Sequence, residues 1–117
     1  MELNEVKNSY FYVLHCKDGS FYGGYTTDLE RRLDEHNSGT GAKYTKPAYR
    51  RPLRMIYAEI HPTRSTATKA EAAFKKRTRI SKERYLKQNG VGLPFSQQER
   101  CKIVRREDAV DADAKEL

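Results

Sequence analysis

Five residues stand where an ordinary apolar pattern would continue, and each type has a chemistry of its own. Arg32 and His36 are four apart in "TDLERRLDEHN", a helical stretch whose apolar stripe is set by Leu29 and Leu33. They fall three and seven positions after Leu29, so both project from one edge of the buried face. An arginine there offers a planar fork of donors to an anion, or snorkels along the apolar surface. A histidine there can move a proton near neutral pH, or simply fill the core. Glu71 lies next to Ala70 on a second helical stripe, formed by Ala67, Ala70, Phe74 and Thr78. It is the sole acid between Glu59 and Glu83, among six Lys or Arg from Lys69 to Lys82. An inward carboxylate is costly unless it is paired or holds a cation. Pairing with Arg32 or with a lysine is the plain alternative. Tyr12 and Tyr22 belong to two aromatic-rich runs and, taken singly, are ordinary strand residues.

Elements must hold these residues in place. "SYFYVLHC" (9–16) reads as a strand, "KDG" as a turn, and "SFYGGY" (20–25) as a second strand. A two-residue Asp18-Gly19 turn would pair Tyr12 with Tyr25 and put Tyr22 on the opposite face. A three-residue loop with Gly19 left-handed pairs Leu14 with Tyr22 and puts Tyr12 and Tyr22 on one face. Thr27 with Glu30 forms a capping box for the first helix, which Asn37, Gly39 and Gly41 end. "SGTGAKYTKPAYRRP" (38–52) is a basic loop with two tyrosines, and "LRMIYAEI" (53–60) is a third strand. Ser65 caps a helix to about Arg79, and Ser81 caps another that stops near Gly90. A short helix is expected around Gln97 to Val104, followed by a disordered acidic tail of about ten residues. Residues 1–90 are expected to form the domain and 91–117 an extension.

The chain has 117 residues, enough for one domain with a modest core. No apolar run approaches the ~18 residues of a membrane span. The polar start "MELNEVKNSY" has no signal-peptide core, so a cytoplasmic location is expected. Two unclustered cysteines, Cys16 and Cys101, make no zinc site. The net charge is +7 with a pI near 9.5. It is concentrated: residues 43–87 carry +11 and the remainder −4. A polarised basic face is the usual footprint of a partner rich in phosphates, although a solvated basic surface gives the same totals.

Taken together, "YFY" ending at Tyr12, "YGG" beginning at Tyr22, Arg32 ten residues further, His36 and Glu71 resemble the GIY-YIG nuclease superfamily. The likeness is greatest to its small stand-alone bacterial, YhbQ-like branch and covers about Ser9 to Leu86. Tyr12 matches the tyrosine that closes the first motif and Tyr22 the one that opens the second. Arg32 matches the family arginine, His36 a position often His or Tyr, and Glu71 the glutamate that holds a single divalent metal. The motifs depart from the family letters: Tyr-Phe-Tyr replaces Gly-Ile-Tyr, and Gly23 occupies the middle of the second. A polar residue that many members place near the domain's end has no clear match. In the family both tyrosines line one site, which selects the three-residue hairpin loop.

The resemblance implies an α+β fold, a small three-stranded antiparallel sheet flanked by helices. It also implies metal-dependent hydrolysis of DNA phosphodiester bonds, with one Mg²⁺ or Mn²⁺ per site held by Glu71. Arg32 would fork onto the scissile phosphate, where it stays charged at any working pH. Tyr22 is the candidate general base or its relay; a free tyrosine, with a pKa near ~10, needs nearby cations for that work. Tyr12 would hold the water or the phosphate, and His36 would assist proton transfer or bind a phosphate oxygen. Gly23 and Gly24 are expected to let the DNA backbone approach. Lys43, Tyr44, Lys46, Arg50, Arg51 and Lys75 are the expected DNA-binding residues, with Tyr44 or Tyr49 stacking on an exposed base. Larger relatives carry extra DNA-binding or zinc domains that choose a target; here low sequence specificity, or a targeting partner protein, is expected. A nucleic-acid-binding module without catalysis is the alternative. A purely structural Glu71–Arg32 pair in an interaction domain is a third reading.

Overall fold

The computed structural model describes residues 8–107. Strands β1 (Ser9–His15), β2 (Phe21–Thr26), β3 (Arg54–His61) and β4 (Lys102–Arg105) form one sheet in the order β2-β1-β3-β4. Helices α1 (Leu29–Ser38), α2 (Arg64–Lys75) and α3 (Arg79–Gln88) flank it. The β1–β2 hairpin has the three-residue loop: Leu14 faces Tyr22, His15 faces Phe21, and Gly19 takes φ 89°. Its register places Tyr12 opposite Gly24, on the face that carries Tyr22. A one-residue change of loop would have moved one tyrosine to the other face.

Two features differ from the expectation. The sheet has four strands rather than three and is mixed, because β4 pairs with β3 in parallel, Tyr57 opposite Lys102 through Ile60 opposite Arg105. The helix expected over Gln97 to Val104 is instead a 3-10 turn at Phe95–Gln97 followed by this strand. "KIVR" leaves three of its four side chains exposed, so it has neither the alternation nor the stripe that a sequence pattern can reveal. The expected disordered acidic tail lies outside the described residues.

The helix caps are also shifted. Asp28, not Thr27, caps α1 through Arg31 N–H at 3.0 Å, while Thr26 ties the strand end to Asp28. Thr63 rather than Ser65 caps α2, and Thr78 rather than Ser81 caps α3. α2 stops at Lys75, four residues short of the expected end.

Each face of the sheet has its own core. Phe11, Val13, Tyr57, Phe74 and Leu86 pack beneath α2 and α3. Tyr12, Leu14, Leu53 and Ala58 pack on the other face, with Leu29 and Leu33 of α1 against them. Two glycines of β2 make these cores possible. A Cβ on Gly24 would lie 2.4 Å from the Tyr12 hydroxyl, and one on Gly23 would lie 3.2 Å from the Phe74 ring. Both therefore clear space for internal side chains, which corrects the expectation that they admit a DNA backbone.

Candidate active site

Tyr12 rises from β1 into the interface with α1, where it is fully buried. Its hydroxyl is 2.8 Å from His36 Nε2, and His36 Nδ1 is 2.7 Å from Thr45 Oγ1. Thr45 donates to the Ala42 carbonyl at 3.2 Å, so its oxygen must accept from Nδ1–H. His36 Nε2 is then an acceptor and the Tyr12 O–H is its donor. Arg32 Nε–H completes the chain by donating to the Tyr12 oxygen at 3.4 Å. Every group in this series points its proton the same way, from Arg32 through Tyr12 and His36 to Thr45 and Ala42.

The electrostatics agree. Burial, with Arg32 nearby, lowers the His36 pKa to about 4, so the ring is neutral at physiological pH. Burial pushes the Tyr12 pKa up to about 12 against the opposing effect of Arg32, so Tyr12 keeps its proton. His36 is 0% exposed and both ring nitrogens are engaged. The expectation that it binds a phosphate oxygen is therefore corrected: it holds Tyr12 in place. Gly41 is pressed onto it, where a Cβ would lie 2.6 Å from Nδ1.

Arg32 is fixed on three sides. Besides Tyr12, it donates to Glu35 at 2.7 Å and to the Gly41 carbonyl at 3.0 Å. Of five guanidinium N–H groups, two stay without a partner among the described residues, one on each terminal nitrogen. That is a preset fork on a side chain 26% exposed.

Tyr22 shares the face of Tyr12 but reaches the surface half-buried. Its ring lies 5.2 Å from His36 and stacks on Tyr44 at 5.9 Å and 19°. Its hydroxyl makes no hydrogen bond among the described residues. The Lys75 ammonium sits 5.4 Å from the Tyr22 ring centroid and pairs with Glu71 at 2.8 Å. Tyr22 belongs to the α1 face while α2 packs on the other, so α2 flanks the open β2 edge and presents Glu71 and Lys75 along it. Glu71 is 21% exposed. Its charge reaches Tyr12, where it helps to retain the proton. It does not pair with Arg32, whose carboxylate is Glu35.

The basic loop is partly committed to the fold. Arg50 holds Asp18 at 3.1 Å and the Tyr44 carbonyl at 2.9 Å, with its guanidinium 3.8 Å from the Tyr44 ring and 4.9 Å from Tyr49. Arg51 reaches the Lys46 and Asn37 carbonyls and rests against Gly39, latching the end of α1. Tyr44 is engaged by Tyr22 and Arg50, which leaves Tyr49, 61% exposed, as the available stacking ring. Lys43 and Lys46 line a shallow cleft beside Gly39 and Gly41.

The sequence offers a lysine as a partner for Glu71, and that lysine is Lys75; the sequence reading marks neither Thr45 nor Glu35 for the roles they take. The Arg32–Glu35 and Glu71–Lys75 spacings are helical neighbours and could have been read. Nothing in the loop sequence marks Thr45.

Among the described residues, no group of three or more His, Cys, Asp or Glu could form a protein cage for a metal. The donor set nevertheless fits Mg²⁺, which is content with one carboxylate plus waters and substrate phosphates. Glu71 keeps Oε1 clear of Lys75, which binds Oε2.

Comparison with known proteins agrees with this architecture. Residues 8–88 match the GIY-YIG catalytic domain. A UPF0213 protein of Enterococcus faecalis is 73% identical over 85 residues, 73% of this chain and 97% of its own. The UPF0213 protein YazA of Bacillus subtilis is 51% identical over 84 residues, 72% of this chain and 83% of its own. The solution structure of the E. faecalis protein EF2693 superimposes with a TM-score of 0.51 at 62% identity, covering 82% of this chain and 94% of that one. The chain belongs to the GIY-YIG family, a nuclease family, among its small bacterial UPF0213 members.

Proposed function

We propose that the protein is a divalent-metal-dependent endonuclease that hydrolyses DNA phosphodiester bonds at the edge of β2, with low sequence preference of its own. The observation that carries this reading is the arrangement around Arg32. A guanidinium fixed by Tyr12, Glu35 and Gly41 keeps two N–H groups without a partner among the described residues, while Glu71 stands on α2, whose Lys75 lies against Tyr22 of β2. In a DNA-binding surface without chemistry, a half-buried carboxylate among lysines weakens phosphate binding and has no use.

Each side chain then has a role. Arg32 takes two phosphate oxygens and neutralises the charge that builds as the pentacovalent phosphorus forms. Tyr12 does not act as a base, because its proton is committed to His36; it orients Arg32. Tyr22, whose ring faces the Lys75 ammonium, would act as its phenolate and take the proton of the attacking water, or as a hydroxyl that accepts that proton while handing its own on to solvent. Glu71 would hold Mg²⁺ or Mn²⁺, which supplies Lewis-acid stabilisation of the phosphate when bound. Lys43, Lys46 and Tyr49 grip the flanking strand. Target choice by a partner protein, and a role in DNA repair or recombination, belong to the same proposal.

The reading of a binding module has one observation in its favour, the 2.8 Å Lys75–Glu71 bond, which satisfies the carboxylate without any metal. Labelled single-stranded, duplex and branched DNA at low salt separates the two. Cutting in Mg²⁺, none in EDTA and none by Arg32→Ala is expected. Tight binding with no cutting of any of the three forms, in Mg²⁺ or Mn²⁺, would establish the binding module instead.

A further inference from the structure

The surface that carries Arg32 continues into a basic cleft, and its other two arginines, Arg31 and Arg64, have no part in the reaction. Where β2 ends, a cleft of about 300 Å³ opens between the starts of α1 and α2. Tyr25, Thr27, Arg31, Arg32, Glu35 and Arg64 line it. Glu35 is shared by Arg32 at 2.7 Å and Arg31 at 3.6 Å. Among the described residues no carboxylate lies within ion-pair distance of Arg64, whose guanidinium carbon is 5.3 Å from the Tyr25 ring centroid. Three arginines thus meet one carboxylate, and the cleft keeps an excess of positive charge.

Its place in the fold relates it to the site. Arg64 and Glu71 are seven residues apart on α2, close to two full turns, so they share a face and stand ~10 Å apart along the axis. Lys75, one turn beyond Glu71, reaches the Tyr22 ring, and Arg64 reaches Tyr25. One stripe of α2 therefore runs along the edge strand from Tyr25 to Tyr22, with the carboxylate between two cations. Successive phosphates of one strand lie ~6–7 Å apart through space, ~3.4 Å being only their rise along the duplex axis, so a strand with its reacting phosphate near Glu71 has its next or next-but-one phosphate at the cleft, ~10 Å away.

We infer that the Arg31–Arg64–Tyr25 cleft is a second phosphate subsite, holding the same strand one or two nucleotides from the bond that is cut. The inference rests on the proposed nuclease activity. Arginine forks suit phosphate oxygens, the Thr27 hydroxyl adds a donor, and the Tyr25 ring offers a face to sugar or base. With the Lys43–Lys46 loop gripping the strand on the Tyr22 side, the cleft fixes a minimum substrate length.

The test is a chemical scan. Oligonucleotides in which one phosphate at a time is replaced by a neutral methylphosphonate are cut by the wild type, Arg64→Ala and Arg64→Lys. At a single position, one or two nucleotides from the cut, the neutral link slows the wild type about 10-fold. Arg64→Ala cuts the normal strand about 10-fold slower and is indifferent to that link, and Arg64→Lys recovers part of the rate. Wild-type rates in Arg64→Ala, or unchanged sensitivity to the link, would overturn the subsite while leaving the nuclease intact. If nothing is cut, the nuclease reading fails, and fluorescence anisotropy in EDTA decides the subsite. A slope of log affinity against log salt smaller by about 1 in Arg64→Ala supports a phosphate contact; an identical slope refutes it.

Discussion

Two glutamates on the α2–α3 side of the sheet, Glu59 beneath the helices and Glu71 on α2 itself, solve the problem of a carboxylate near a core in different ways. Glu59, on β3 under α3, is 1% exposed. Tyr57 donates to it at 2.8 Å, His61 Nε2 lies at 2.8 Å, the Tyr85 hydroxyl also donates, and Arg106 lies at 3.5 Å. Arg106 in turn reaches the Tyr57 hydroxyl and Asn89, fastening the end of β4 to α3. Among the described residues Glu71 has one partner, a half-exposed lysine on its own helix, and one oxygen left over. The first carboxylate is saturated by the fold. The second is kept available by it. A buried charge serves structure when its neighbours exhaust its lone pairs; it serves a ligand when they do not.

That contrast can be tested by removing each acid. Glu71→Gln is expected to cost ~10³-fold or more in cleavage rate, while its Tm stays within about 2 °C because an exposed i,i+4 pair is worth only ~0.5 kcal/mol. Glu59→Ala is expected to do the reverse. It strands Arg106, His61 and two tyrosine hydroxyls and lowers stability by ~3–5 kcal/mol, measured by urea unfolding, with the rate per folded molecule unchanged at low temperature. Equal Tm losses in the two variants would erase the distinction.

A smaller effect is expected from Tyr12→Phe. It leaves His36 Nε2 without its donor and Arg32 Nε without its acceptor, at a cost of ~1–3 kcal/mol. Because Arg32 is also loosened, cleavage should fall with it, whereas a core tyrosine with no bearing on the site would change stability alone. The smallest effect is in pH. His36 has a folded pKa near 4 against an ordinary 6.5, so the unfolded chain binds a proton first. Its contribution to stability is complete above pH 6.5 and is lost as pH falls toward 4. Tyr12, Tyr22, Arg32, Glu35 and Thr45 surround it, and the Glu35 carboxylate, which acts in the opposite direction, is outweighed by burial and Arg32. The slope of stability with pH over that window should flatten in His36→Asn, as followed by thermal melts.

The sequence reveals the parts of this molecule that rest on pattern. The alternation of β1 and β2, the Gly19 turn and the Leu29–Leu33 stripe place Tyr12, Tyr22, Arg32 and His36 on one face. What it hides are features set by contact. Gly24 looks like an opening toward a ligand, yet it is the space for the Tyr12 hydroxyl. Thr45 stands in a basic loop whose fold cannot be inferred from composition, yet it fixes the tautomer of His36. β4 has only the adjacent pair Ile103 and Val104 as an apolar signal, without alternation, and is held by pairing with β3 and by Arg106. The caps fall where the strands end, at Asp28 and Thr63, rather than at the residues best matched to a capping motif.

The most direct test of the central claim compares wild type and Glu71→Gln on one labelled DNA strand, in Mg²⁺ and in EDTA, with binding measured beside cleavage. The account predicts that both proteins bind the strand with similar affinity in EDTA and that only the wild type cuts it, and only in Mg²⁺. Undiminished cutting by Glu71→Gln, or no cutting by the wild type, would contradict it.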